Sequence, residues 1–256
     1  MYVHILKDRP EMAAAAVPLV ADYLRRELAQ KPEVTVVAAT GTSQFEFLDR
    51  LAQEPGIDWS RVTFFHLDEY LGIPATHPAS FRRYLKERVE DRLHPKAFHY
   101  IRGDAPDPEA ECRRLGELIR NRVIDLVLLG IGENGHIAFN DPPADFETEE
   151  PFIVVELDEA CRRQQLKEGW FPTLDAVPTR AITMSPRQIL KGRMLVCLVP
   201  DDRKAEAVYR CLTAPITPEV PCTILRRHPN IHLFLDEAAA ARLPADRRVA
   251  EIPVEA

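Results

Sequence analysis

No stretch of the 256-residue chain looks like a membrane span or an export signal. No window approaches about 18 uninterrupted apolar residues, which excludes an ordinary transmembrane helix. Met1 to Pro10 lacks the apolar run of a secretory signal. Cysteine is sparse: five residues, Cys112, Cys161, Cys197, Cys211 and Cys222. None forms a C-x-x-C pair, and none is spaced with histidine as in a zinc site. An odd count without a signal fits a reducing cytosol, so a cytoplasmic protein without a metal site is expected. There is no excess of positive charge either. A formal net charge of -7 disfavours a nucleic-acid partner, so any phosphorylated ligand needs a locally basic pocket. Neither a P-loop nor a G-x-G-x-x-G fingerprint is present. Repeats, low-complexity tracts and interdomain linkers are also missing, and the 22 prolines are scattered over loops.

What is present is an ordinary globular balance, 46% hydrophobic and 29% charged residues. Short apolar, β-branched runs alternate with longer amphipathic stretches. Strands are expected at Tyr2–Ile5, Val34–Ala39, Val62–His66, Val123–Leu129, Ile153–Glu156, Ala181–Met184, Met194–Val199 and Ile231–Leu235. Helices are expected over Glu11 to Gln30, Ser43 to Gln53, Ser80 to Arg92, Pro108 to Arg120 and Asp201 to Leu212. Such alternation predicts one α/β domain over residues 1–256, an open, mostly parallel Rossmann-like sheet with helices on both faces. Ligands of such sheets bind beyond the carboxyl ends of the strands. The tail after Asp236 reads equally as a helix, a frayed end or an oligomer contact, so a homo-oligomer stays open.

Three loops after strands carry candidate chemistry. Thr40-Gly41-Thr42-Ser43 joins a strand to a helix, where glycine, hydroxyls and a helix N-terminus suit an anion; taken alone, a tight turn with Thr42 or Ser43 as an ordinary N-cap is the favoured reading. In Leu67-Asp68-Glu69-Tyr70 an apolar strand runs into two acids. At a strand end one carboxylate can face a cleft and the other face away. A desolvated carboxylate is suited to removing a proton from carbon. Tyr70 is expected to pack. The third loop, Gly130 to Asp141, follows the most apolar strand and holds three glycines in six residues, then His136, with Asp141 five residues on. A histidine beside an acid can relay protons near neutral pH.

Together these segments resemble the glucosamine-6-phosphate deaminase/isomerase family. Asp68-Glu69-Tyr70-Leu71-Gly72-Ile73-Pro74, followed by His77-Pro78-Ala79-Ser80, is similar to its D-E-Y-x-G-x-P-x-x-H-P-x-S segment. Gly130 to Pro142 is similar to its G-x-G-x-[ND]-G-H-I-A-F-N-E-P segment. The related 6-phosphogluconolactonases usually carry Asp-Glu-Arg and G-H-T-A-S-L-F-P instead. The resemblance implies an enzyme that takes a small sugar phosphate, with no metal or organic cofactor and no membrane partner. It implies that His136, assisted by Asn134 and Asp141, shuttles a proton as the sugar ring opens. Asp68 removes the C2 proton, and the enolamine goes on to ketose phosphate and ammonia. Thr40, Gly41, Thr42 and Ser43 fall at the family's phosphate loop, and Lys204 at its late-helix lysine. Two departures stand out. Asp141 replaces the usual glutamate, so its contact with His136 is expected to be re-aimed or bridged by water. An arginine before a Phe-Phe pair is missing, and Arg162, Arg163 or Lys167 is the expected substitute unless these are surface charges. The alternatives are lactonase chemistry and a non-catalytic sugar-phosphate sensor. The absence of a helix-turn-helix segment and the intact Asp68/His136 pair count against the sensor.

Overall fold

The computed structural model describes residues 1–248 and 251–255. Ten strands form two sheets: β1 (Tyr2–Leu6), β2 (Val34–Ala38), β3 (Val62–His66), β4 (Asp68–Tyr70), β5 (Ala97–His99), β6 (Leu126–Leu129), β7 (Phe152–Glu156), β8 (Arg180–Met184), β9 (Met194–Val199) and β10 (Ile231–Asp236). Seven of them run parallel in the order β1-β10-β9-β6-β2-β3-β5. This is the mostly parallel open sheet expected of the sequence. β2, β3, β6 and β9 are buried throughout, as strands covered on both faces must be.

The helices begin where local chemistry satisfies their free N–H groups. Asp8 caps Arg9–Gln30 by accepting from the Glu11 N–H at 3.0 Å, and Asp107 caps Pro108–Ile119 by accepting from that of Ala110 at 3.0 Å. Ser80 opens Phe81–Leu85, and the late helix is Ala205–Thr213 after a tight turn at Asp202–Lys204.

Three strand expectations need correction. The run Val123–Leu129 pairs only from Leu126: Val123 is 53% exposed, and buried Asp125 turns its carboxylate onto Lys31 and the Thr35 N–H. The runs at 153–156 and 181–184 are strands, but they lie outside the large sheet. β4, β8 and β7 make a separate antiparallel sheet in that order. The joint between the two sheets is Leu67. Its N–H donates to Ala38 O of the large sheet at 3.2 Å, and its C=O accepts from Met184 N of the small one at 2.9 Å. The tail after Asp236 makes turns and then returns to β1, where Ile252 N donates to Met1 O at 2.8 Å and the Met1 amino group to Ile252 O at 2.9 Å.

Candidate active site

Four adjacent strands of the large sheet, β9, β6, β2 and β3, end at one cleft, where ligands of open α/β sheets bind. Thr40, Gly41, Thr42 and Ser43 follow β2, Asp68 follows β3, and Gly130 to Gly132 with His136 follow β6. Asp201, Arg203 and Lys204 follow β9, and all of these line the cleft. The fold thus gathers residues as far apart in the chain as Thr40 and Lys204.

The passage from β3 into β4 places the acids. Side chains alternate along a strand, so Asp68 faces the cleft and Glu69 turns away. Glu69 is fully buried. It accepts from the Ser80 hydroxyl and from the N–H groups of Tyr70, Phe81 and Arg82, and so caps the helix Phe81–Leu85. Tyr70 packs, as expected: its ring lies 4.9–5.2 Å from those of Phe81, Phe139 and Phe171, and its hydroxyl donates to Gln165 at 2.6 Å. Asp68 is in the opposite situation. Burial, then the adjacent Glu69 charge, pushes its carboxyl up to about 8, with no compensating hydrogen bond among the described residues. Burial lifts Glu69 to about 7 against the pull of its four donors.

Behind the cleft stands a fixed polar chain. Nδ1 of His136 lies 3.0 Å from Oδ1 of Asp141. The Asn134 amide donates to Asp141 and to Asp158, both at 3.0 Å, while its oxygen accepts from the His136 N–H at 3.0 Å. The Asp158 N–H donates to the other Asp141 oxygen at 3.0 Å. Burial opposes ionisation of Asp141, but His136, Asn134 and the Asp158 N–H outweigh it and hold the carboxyl below its usual range. The shorter acid therefore reaches the ring directly, and no bridging water is needed. Only His136 of this trio lines the cleft; Asn134 and Asp141 act through it. Because three groups already grip the aspartate, Asp141→Glu overpacks the pocket. We expect it to lower kcat about tenfold with KM little changed, measured by steady-state kinetics.

Gly132 explains part of the glycine content. A Cβ there would lie 2.2–2.4 Å from three atoms of the His136 ring. Gly132→Ala is expected to push the ring aside and lower kcat by about 10²-fold, the scale of an ångström-sized misplacement. KM and the far-ultraviolet circular dichroism should stay close to wild type.

Lys204 is only 8% exposed, and among the described residues it forms no ion pair. Burial pulls its pKa down. It is a cleft-facing cation. The substitutes expected for the missing arginine lie elsewhere. Arg163 is exposed and pairs with Glu159. Lys167 is exposed, 3.7 Å from Glu133, and Arg162 holds the carbonyls of Leu174 and Val177. None of the three lines the cleft. Arg203 does, braced by Glu133 at 3.0 Å and Asp201 at 3.3 Å. Sequence reading missed Arg203, although it adjoins Lys204, and also missed Gln164, Gln165 and Glu168 on the cleft wall. It missed Asp201 too, whose backbone φ of 84° is strained for a non-glycine residue and whose carboxylate pairs with Arg9.

Residues 7–233 match the family described as glucosamine-6-phosphate isomerases/6-phosphogluconolactonase. The chain belongs to that family. A glucosamine-6-phosphate deaminase of an Exiguobacterium species is 39% identical over 219 residues, 86% of this chain and 84% of that one. One from Shouchella clausii is 37% identical over 245 residues, covering 93% and 96%. A solved monomeric glucosamine-6-phosphate deaminase superposes with a TM-score of 0.86 at 30% identity, covering 94% of this chain and 99% of its own. The 6-phosphogluconolactonase of Thermotoga maritima shares the fold, with a TM-score of 0.75 at 20% identity.

Proposed function

We propose that this member of the family converts glucosamine 6-phosphate and water to fructose 6-phosphate and ammonia. The observation that carries this reading is Asp68: a cleft-facing carboxyl, without a hydrogen-bond donor and held near neutrality by burial, opposite a histidine backed by an acid. Lactone hydrolysis gives such a carboxyl no proton to take from carbon.

The residues divide the work as follows. Lys204, with Thr40 to Ser43 and Arg203 at the rim, receives the phosphate. His136 moves a proton at the ring oxygen as the sugar opens, and Asp141 and Asn134 hold the imidazole in place. Asp68 takes the C2 proton, giving an enolamine, and returns a proton to C1. Water adds to the resulting C2 imine, and ammonia leaves as the ketone forms. No helix among the described residues is long and apolar enough to cross a membrane. All five cysteines are unpaired and buried, which suits a cytoplasmic setting.

The test is a coupled assay of ammonia and fructose 6-phosphate from glucosamine 6-phosphate, run beside galactosamine 6-phosphate and 6-phosphogluconolactone. Turnover of the gluco amino sugar is expected. Hydrolysis of the lactone alone would overturn the proposal.

A further inference from the structure

Cys161 has no part in the chemistry above, yet it sits against the relay. It is 1% exposed, in the first turn of the helix Glu159–Lys167, where its N–H donates to Asp158. A ring nitrogen of His136, a carboxylate oxygen of Asp141 and Sγ of Cys161 all lie within 4.8 Å of one another. A second observation points into the same space. His136 is 7% exposed, and its Nδ1 is buried with no aligned hydrogen-bond partner, although an Asp141 oxygen is 3.0 Å away. The contact is short enough to hold the ring but poorly aligned, which leaves the nitrogen available to a further partner. One imidazole nitrogen, one carboxylate oxygen and one thiol are the donor types zinc takes in three-ligand sites that keep a fourth position open.

His136 lines the catalytic cleft, and Asp141 lines a second groove with Asn140, Pro142 and Asp158.

We propose that His136, Asp141 and Cys161 make up an inhibitory site for a thiophilic divalent cation such as Zn²⁺. On binding, the Cys161 thiol releases its proton to solvent and the thiolate, imidazole and carboxylate close on the ion. The imidazole is then tied to metal and no longer free to move a proton. The site itself stands independently of the proposed activity; the inhibition rests on it.

The test uses Co²⁺ as a spectroscopic stand-in and Zn²⁺ as the inhibitor, on the intact chain. Co²⁺ is expected to produce a thiolate-to-metal charge-transfer band at one equivalent, bleached by Zn²⁺. The band should vanish in Cys161→Ala and in Cys161→Ser and weaken in Asp141→Asn, each first checked for a native thermal transition. Zn²⁺ should inhibit turnover reversibly, with chelator restoring it. The inhibitory concentration, referred to each variant's own metal-free rate, should rise by more than about tenfold without Cys161. No band in the wild type, or a band that persists in both Cys161 variants, overturns the site. A band with no turnover of any amino-sugar phosphate refutes the proposed function and leaves the site standing. Turnover unaffected by Zn²⁺ while the band forms refutes the inhibition.

Discussion

Asp68→Asn is expected to lower kcat by about 10³-fold or more and to abolish solvent-deuterium exchange at C2, while substrate still binds. General-base catalysis is worth roughly 10²–10⁴-fold, and the asparagine amide has no basic site for a proton from carbon. The lesion should appear in kcat because a general base acts in the chemical step and not in holding the phosphate. Retained exchange would remove Asp68 from the base role. The same carboxyl sets a pH limb: it must be ionised to act, so kcat/KM should rise with pH towards about 8, the range to which burial lifts it. Its stability effect has the opposite slope. Between about 4 and 8 the folded chain keeps a proton that the unfolded chain has released, so Asp68 makes folding less favourable as pH rises through that window. Glu69, raised to about 7, adds to the slope. Asp68→Asn should therefore flatten the fall in Tm across that window, and a slope identical to wild type would show that the carboxyl is not desolvated as the structure has it.

Lys204→Met should divide stability from function. The methionine has nearly the same length and no charge, so the cleft loses its unpaired buried cation and little volume. Burying an ion without a partner is costly. The substrate-free variant is expected to be more stable, with about 2–4 °C in Tm for each kcal/mol recovered. For the reaction the sign reverses. Truncating one side of a buried charge pair costs about 2–5 kcal/mol, so kcat/KM should fall by about 10²-fold or more. The loss should sit mainly in KM, because a phosphate distant from C2 binds alike in ground and transition states. Inorganic phosphate should raise the wild-type Tm and leave that of the variant unchanged. If phosphate shifted both equally, the anion would be held elsewhere, with Arg203 the first place to look.

Much of this was legible in the sequence, for physical reasons that differ by segment. The buried parallel strands β2, β3, β6 and β9 announce themselves because strands covered on both faces must be apolar throughout. Asp68, His136 and Lys204 were legible because each follows such a strand, and strand ends supply the cleft. The small antiparallel sheet was not. β4 is three residues long, and Asp68-Glu69-Tyr70 reads as a polar loop. Its pairing with β8 joins residues more than a hundred positions apart, which no local pattern encodes. The placement of Arg163, left open between a phosphate ligand and a surface charge, follows from a local pair. Within a helix, Glu159 four residues earlier claims its charge, while the neighbouring Arg203 is steered into the cleft by Glu133 from another loop. Cys161 gave no signal at all, since a lone cysteine in a polar stretch becomes chemically interesting only once the loop from Gly130 to Asp141 folds over it.

The strand order has a bearing on how the chain is made. β1 has β10 as its partner within the large sheet, and β10 is held in turn by β9. During synthesis, therefore, β1 waits for the much later β10 before it can be seated. Until then the apolar face of the helix Arg9–Gln30, with Met12, Val17, Val20 and Leu24, is short of its eventual cover. The half of the sheet from β2 to β6 can close without either. Nascent chains stalled before Ile231 should accordingly carry the assembled loops that follow β2 and β6 beside an unseated pair of β1 and its helix, a natural foothold for chaperones and for proteases alike.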